Sequence, residues 1–122
     1  MVVEFKIPIE AKPTPRPRIA KSGGMYLPAP YPTYFKDLQN YIKGQYFNKE
    51  IDPEQPVEVL IEVCKRTNPA YVTFGDADNL AKGILDAMTG IVYKNDSLVT
   101  KLTIEKIQDK YPCINIYISQ DT

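Results

Sequence analysis

The chain has 122 residues, of which 43% are hydrophobic and 25% charged, and its 15 lysines and arginines balance 15 aspartates and glutamates. These values are typical of one globular domain spanning residues 1–122, and they exclude a disordered chain or a protein that coats nucleic acid through charge alone. The absence of histidine excludes most zinc sites and the usual general base of nucleophilic catalysis, so an enzyme of this sequence must use carboxylates, lysine or tyrosine.

Neither the cysteines nor the apolar segments indicate export or a membrane. Cys64 and Cys113 are the only cysteines and form no CxxC pair, which favours free thiols in a reducing cytoplasm over a disulfide. The first residues carry no signal-peptide pattern, and no apolar run approaches the ~18 residues that a membrane span needs. We therefore expect a cytoplasmic protein.

The first half of the chain predicts a strand, a stiff basic arm and a helix. Apolar residues that alternate with polar ones indicate a half-buried strand at Val3, Phe5, Ile7 and Ile9. Residues 12–18 contain three prolines and must be extended rather than helical. Further prolines keep the chain irregular up to Thr33, after which apolar residues at helical spacing predict a helix to about Tyr46.

The second half predicts a helix and three strands. Alternation indicates a strand over residues 57 to about 64, and a helix follows that ends near Thr89, with Gly90 just beyond its last turn. Residues 98–107 and 113–119 are strand-like, and we expect them to pair as a hairpin. The order strand-helix-strand-helix-strand-strand predicts an α+β domain in which a small mixed sheet packs with two helices.

An acidic motif at the start of the second predicted helix concentrates groups that suit a hard cation. Asp76 and Asp78 are two residues apart, so an extended segment would direct both side chains to one side. Asn79 or Asp78 can cap the helix, and Asp78, Lys82 and Asp86 then form one polar row along it. Carboxylate, amide and ammonium groups together suit a divalent cation with phosphate oxygens beside it.

These residues also have structural interpretations. Asp78 alone could be a helix cap, but capping does not explain Asp76, because two close carboxylates repel unless they are solvated or bridged by a cation. With Asp96 added after the helix, the set resembles a hard-metal site. Lys82 is either an ion-pair partner of Asp78 or Asp86, or a cation that stabilises charge on a phosphate. For Asp86 we favour the structural role.

The residues before the first predicted helix are rich in basic and aromatic side chains. Arg16 and Arg18 alternate with prolines, so this segment is either a solvated stiff loop or a pre-extended arm for a phosphate backbone. Tyrosines follow that could stack on bases or be structural: Tyr26, Tyr31 and Tyr34. A positive segment beside an acidic cluster permits a nuclease, in which basic groups bind phosphates and carboxylates hold a metal.

The motif resembles that of the RusA family of Holliday junction resolvases. The resemblance is carried by Asp76-x-Asp78-Asn79-Leu80-x-Lys82, by Leu85-Asp86-Ala87 and by Asn95-Asp96 at the opening of the next strand. It covers nearly the whole chain. It implies a RusA-like fold and a homodimeric, Mg²⁺-dependent endonuclease that nicks two strands of like polarity at a four-way DNA junction, in recombination and repair.

Position by position, the resemblance implies that Asp76, Asp78 and Asp96 converge as ligands of Mg²⁺ and that Lys82 is the catalytic lysine. Asn79 and Asp86 would not bind the metal but would support the residues that do.

Some members carry arginines immediately before the first aspartate, where this chain has Thr73, Phe74 and Gly75. We therefore expect other basic residues to hold DNA, either the pair Lys65 and Arg66 or the arm with Lys12, Arg16 and Arg18. Two alternatives are a nuclease for flaps or other branched DNA, and a non-catalytic module whose acidic row holds a structural cation or a protein partner.

Overall fold

The computed structural model describes residues 1–121, so residue 122, the last of the predicted domain, lies outside the described residues. The strands are β1 (Val2–Ile7), β2 (Arg18–Ile19), β3 (Met25–Tyr26), β4 (Val57–Lys65), β5 (Val99–Gln108) and β6 (Cys113–Ser119). The helices are α1 (Tyr31–Gln45) and α2 (Ala77–Met88), with short 3₁₀ turns at Val72–Phe74 and Asp96–Leu98. The predicted α+β class, with a mixed sheet and two helices, is confirmed.

The main sheet has four strands in the order β1-β6-β4-β5. β4 and β5 run parallel and are connected through α2, whereas β6 is antiparallel to both of its neighbours, β1 and β4. The register aligns one apolar row across all four strands, made of Phe5, Ile116, Ile61 and Ile104. This row crosses the middle of the sheet and forms part of the hydrophobic core.

The expected hairpin between the last two strands is wrong, because β6 pairs with β4 and β1 and not with β5. The crossover through α2 places β5 beside β4 and leaves the other edge of β4 free. Ile114, Ile116 and Ile118 of β6 are completely buried, which an inner strand allows. β5 occupies the sheet edge, where most of its side chains are half-buried or exposed.

The two helices cover the sheet with apolar faces set by helical spacing. α2 buries Leu80, Ile84, Ala87 and Met88, and α1 buries Leu38 and Ile42. Each fully buried aliphatic side chain contributes roughly 1.5–3 kcal/mol relative to an exposed one. α2 ends at Met88, and Gly90 follows with φ of +82°, as the helix-end pattern predicted. Among residues 1–121, neither helix has the length and apolarity to cross a membrane.

The segment that the prolines marked as irregular contains one element that the sequence did not reveal. β2 and β3 form a small hairpin in which Arg18 pairs with Tyr26 and Ile19 with Met25. Gly23, with φ of +88°, supplies the left-handed backbone of its turn. Strands of two residues are too short for an alternating pattern to indicate them.

Candidate functional site

α2 begins two or three residues earlier than the predicted caps Asp78 and Asn79 would place it. Asp76 occupies the N-cap position with extended backbone, and its carbonyl accepts the first helical hydrogen bond, from the Leu80 N–H at 3.0 Å. Its carboxylate makes no capping bond and is exposed. Asp78 lies in the first turn, where its Oδ1 accepts from the Asn79 N–H at 2.9 Å. The expectation that Asp78 or Asn79 caps the helix is therefore wrong, and the Asp76 carboxylate is left uncommitted by capping.

The backbone just before Asp76 is held by two lysines. The Lys65 ammonium donates to the Phe74 carbonyl at 2.8 Å, and the Lys106 ammonium donates to the Gly75 carbonyl at 3.0 Å. Both ammonium groups also lie 5.3 Å from the centre of the Phe74 ring. Phe74 itself is fully buried, so it is a core residue rather than a platform for a base. The residues that lead to this backbone, Val72–Phe74, form a 3₁₀ turn.

The structure corrects the expectation that Lys65 reaches out to DNA. Lys65 is only 5% exposed, and its ammonium is bound to a backbone carbonyl. Burial lowers the pKa of Lys65 below its usual value, Glu10 opposes that shift, and Lys12 and Lys106 add to it. Arg66, the next residue, is exposed.

Lys82 pairs with Asp86 rather than with Asp78. The Lys82 ammonium lies 3.6 Å from a carboxylate oxygen of Asp86, one turn further along α2, and the side chains are 63% and 42% exposed. An exposed pair of this kind contributes at most about 1 kcal/mol. The ammonium of Lys82 is therefore held only weakly and is accessible to solvent.

The third aspartate of the motif, Asp96, follows α2 in the chain. It opens the 3₁₀ turn before β5 and is exposed, and Asn95 caps that turn by accepting from the Ser97 N–H at 2.9 Å. The Tyr93 hydroxyl donates to the Leu85 carbonyl at 2.8 Å. Burial raises the pKa of Tyr93, and the charges of Asp96 and, less strongly, Asp86 raise it further.

The three aspartates do not form a closed cage in the described structure. Within residues 1–121, no three acidic or cysteine side chains are close enough together to hold one cation. The convergence of Asp76, Asp78 and Asp96 on one ion stays a prediction. By donor chemistry the set fits Mg²⁺, because all three are exposed oxygen ligands and, among these residues, none takes part in a salt bridge.

The basic arm is fixed to the first turn of α2. The backbone N–H and the hydroxyl of Thr14 both donate to the Asn79 carbonyl, at 3.4 and 3.2 Å. Since the Thr14 hydroxyl has one proton, the neighbouring Tyr31 hydroxyl, 3.3 Å away, must donate to it. Arg16 and Arg18 continue the arm and are exposed, whereas Lys12 is half-buried. The structure thus places the backbone of the basic arm next to the acidic helix start.

Two of these contacts were missed by the sequence reasoning. Thr14 gave no signal, because a threonine between prolines is ordinary in a loop. Lys106 did give a signal, because it stands two residues after Ile104 and four after Leu102. Alternation along a strand therefore places it on the inward side of β5 with them. A lysine at an inward position needs a partner, and here that partner is the Gly75 carbonyl.

The comparison with protein families identifies the class to which this chain belongs. The model of a family of DNA-cleaving enzymes, described as endodeoxyribonuclease RusA, matches residues 8–119 of the 122. The match runs from the residue after β1 to the last residue of β6 and includes the whole acidic helix start. The chain belongs to the RusA family, as the motif had suggested. A search of curated proteins gave no match.

Proposed function

We propose that this chain is a Mg²⁺-dependent endodeoxyribonuclease that resolves four-way DNA junctions by paired symmetric nicks, in recombination and repair. Membership of an endodeoxyribonuclease family supports DNA cleavage in general. The observation that carries the proposal is the double hydrogen bond from Thr14 to the Asn79 carbonyl. These bonds hold the basic arm, which can bind phosphates, against the start of α2, where the Asp76 and Asp78 carboxylates are exposed.

Asp76, Asp78 and Asp96 would supply the oxygen ligands for Mg²⁺. When bound, Mg²⁺ lowers the pKa of a water molecule and offsets negative charge on the scissile phosphate. This chemistry needs no histidine, in agreement with the composition.

Lys82 would stabilise the charge that develops on the phosphate or on the departing 3′ oxygen. Its ion pair with Asp86 is exposed, so releasing the ammonium towards a phosphate costs little. Asp86 would keep the ammonium near the site between cleavage events. Asn79 would act through its backbone, whose carbonyl holds the basic arm.

The arm would bind the sugar-phosphate backbone of the junction. Arg16 and Arg18 are exposed and joined by Pro17, so little conformational entropy is lost when they bind phosphates. Lys12 and Arg66 would extend this basic surface. Lys65 would not contact DNA, because it is buried and its ammonium donates to the Phe74 carbonyl.

Paired nicks require two equivalent active sites, so we expect a homodimer with two-fold symmetry. We also expect a reducing cytoplasm, in which Cys64 and Cys113, opposite each other on β4 and β6, stay free thiols.

Cleavage of synthetic DNA with Mg²⁺ or with EDTA tests the proposal. The panel contains a four-way junction, a flap and a linear duplex, each labelled on every strand in turn. We expect Mg²⁺-dependent nicks at symmetric positions in two junction strands, and only a mobility shift in EDTA. Preferred cleavage of the flap would indicate a nuclease for other branched DNA. A shift without cleavage under all metal conditions would indicate a binding module.

A further inference from the structure

We propose that Lys106 is a positioning residue that, together with Lys65, sets where the Asp76 carboxylate lies. The inference rests on the proposed function, in which Asp76 is a metal ligand. Asp76 makes no capping bond, so no side-chain hydrogen bond at the helix start holds its carboxylate. Its position depends on the backbone that precedes it.

That backbone has an unusual conformation. Gly75 has φ of +104° and ψ of 153°, a region that only glycine enters readily. The 3₁₀ turn ends at Phe74 and α2 begins at Ala77, so Gly75 and Asp76 form a short link between two regular elements. A change in the torsion angles of this link would move the Asp76 carboxylate relative to Asp78.

The two lysines hold this link from two neighbouring strands. Lys65 is the last residue of β4 and binds the Phe74 carbonyl, and Lys106 of β5 binds the Gly75 carbonyl. Phe74, fully buried, faces both ammonium groups at 5.3 Å. The attraction of the ring for cations and the two carbonyl dipoles offset the repulsion between the ammonium groups.

Lys106 is the more informative of the two residues. Its carbonyl partner, Gly75, is the immediate neighbour of Asp76, whereas the partner of Lys65 is one residue further away. Lys106 also belongs to the strand that Asp96 introduces, because the 3₁₀ turn Asp96–Leu98 leads directly into β5. The ammonium of Lys106 therefore links β5, which follows Asp96, to the backbone that carries Asp76.

A purely structural role makes a different prediction. If Lys106 only satisfied a carbonyl, its loss would lower stability but leave metal affinity of the folded chain unchanged. If Lys106 positions Asp76, its loss weakens metal binding by the folded chain, since removing groups that orient a ligand typically costs about 10-fold or more in affinity. Metal affinity measured without DNA separates these roles.

The test compares Lys106→Met and Lys106→Arg with Lys101→Met, a control at an exposed position of the same strand. Binding of Mn²⁺ by the full chain is followed by electron paramagnetic resonance at a temperature where all variants are folded. Amide hydrogen exchange is measured over residues 74–80. We expect about 10-fold weaker Mn²⁺ binding and faster exchange at Gly75 and Asp76 in Lys106→Met. Lys106→Arg should recover most of both, and Lys101→Met should match the unchanged chain.

Asp76→Asn separates this inference from the proposed function. If Asp76→Asn loses Mn²⁺ binding while folded Lys106→Met binds as tightly as the unchanged chain, Lys106 is not a positioning residue and the proposed function stands. If the unchanged chain does not bind Mn²⁺, or if Asp76→Asn binds it equally well, Asp76 is no ligand and both proposals are overturned. Should Lys106→Met fail to fold, Lys106→Gln takes its place, because its shorter, neutral side chain removes the charged hydrogen bond to the Gly75 carbonyl but stays polar.

Discussion

Thr14 and Asn79, 65 residues apart in the chain, are joined by two hydrogen bonds to a single carbonyl oxygen. Thr14 lies between two prolines, and Asn79 lies in the first turn of α2. Prolines cannot donate backbone hydrogen bonds, so Thr14 has the one N–H of its tripeptide that can anchor this part of the arm. The contact fixes a stiff basic segment beside the acidic residues of the helix start.

Thr14→Val should loosen the arm without changing its shape. The variant keeps the backbone bond to Asn79 but loses the hydroxyl, and leaves the Tyr31 hydroxyl without its acceptor. We expect a loss of about 1 kcal/mol in the free energy of unfolding and a several-fold weaker affinity for junction DNA. Urea unfolding and gel-shift titration measure the two effects. Thr33→Val, at an exposed position of α1, is the control and should change neither.

Asp78→Asn should abolish Mg²⁺-dependent nicking of junctions and leave junction binding intact. The amide cannot supply the negative oxygen that a hard cation prefers, but it keeps the size of the side chain. Single-turnover cleavage and gel shift in Ca²⁺ or EDTA are the measurements. Asp121→Asn controls for the loss of one negative charge, because Asp121 lies near Val57, at the end of β4 away from Lys65. Full activity of Asp78→Asn would remove Asp78 from the mechanism.

Replacing Arg16 and Arg18 together by Gln should weaken DNA binding and its salt dependence. Each phosphate contact contributes about 0.9 to the slope of log affinity against log salt, so the slope should fall by about 2. Fluorescence anisotropy at several salt concentrations gives this slope. The matched control replaces Lys43 and Lys49 by Gln, because these residues share a surface with Gly90, beyond the opposite end of α2. An equal effect of both pairs would contradict a DNA-binding arm.

Gly83→Ala should destabilise the junction of α1, α2 and the arm. A Cβ at Gly83 would overlap the Tyr31 hydroxyl and lie 3.3 Å from the Thr14 hydroxyl. The overlap costs roughly 1–3 kcal/mol, against about 1 kcal/mol gained from helix propensity. Thermal unfolding measures the net loss, and Tyr31→Phe added to Gly83→Ala should restore part of it. Gly44→Ala in α1, where a Cβ meets nothing within 4 Å, should be stabilising.

Stability should fall in alkaline solution because buried acids resist ionisation. Burial, with a smaller effect of Cys113, raises the pKa of Cys64 from 9.0 to about 12, and burial raises that of Tyr34 from 10.0 to about 12. Above pH 9 the unfolded chain loses these protons first, so unfolding becomes easier by up to about 1.4 kcal/mol per pH unit for each group. Lys65, whose pKa is lowered by burial, opposes part of this loss, because the folded chain releases its proton first.

Urea unfolding at pH 8, 9, 10 and 11 measures the alkaline effect. Tyr34→Phe should flatten the dependence above pH 10, and it should not cost stability at pH 8, because the buried Tyr34 hydroxyl makes no hydrogen bond within residues 1–121. The backbone of Lys12 lies near enough to lower the Tyr34 pKa slightly, but not in hydrogen-bond geometry. Tyr111→Phe, at a side chain that is 70% exposed, should leave the pH dependence unchanged.

The sequence by itself determined the elements that carry local periodicity. Both helices, the long strands and the end of α2 before Gly90 were predictable, because apolar spacing and glycine act within a few residues of one another. The acidic motif was also visible, since Asp76, Asp78 and Lys82 are close in the chain. The family membership followed from that motif and is confirmed by the match to residues 8–119.

Only the tertiary structure decided which distant segments meet. No periodicity relates the parts of the chain that meet in three places. β6 lies between β1 and β4, Thr14 bonds to Asn79, and Lys65 and Lys106 bond to the backbone before Asp76. Lys65 shows the reason most clearly. A lysine at the end of a strand favours solvent unless a buried carbonyl is within reach, and whether one is depends on the packing of the 3₁₀ turn that ends at Phe74.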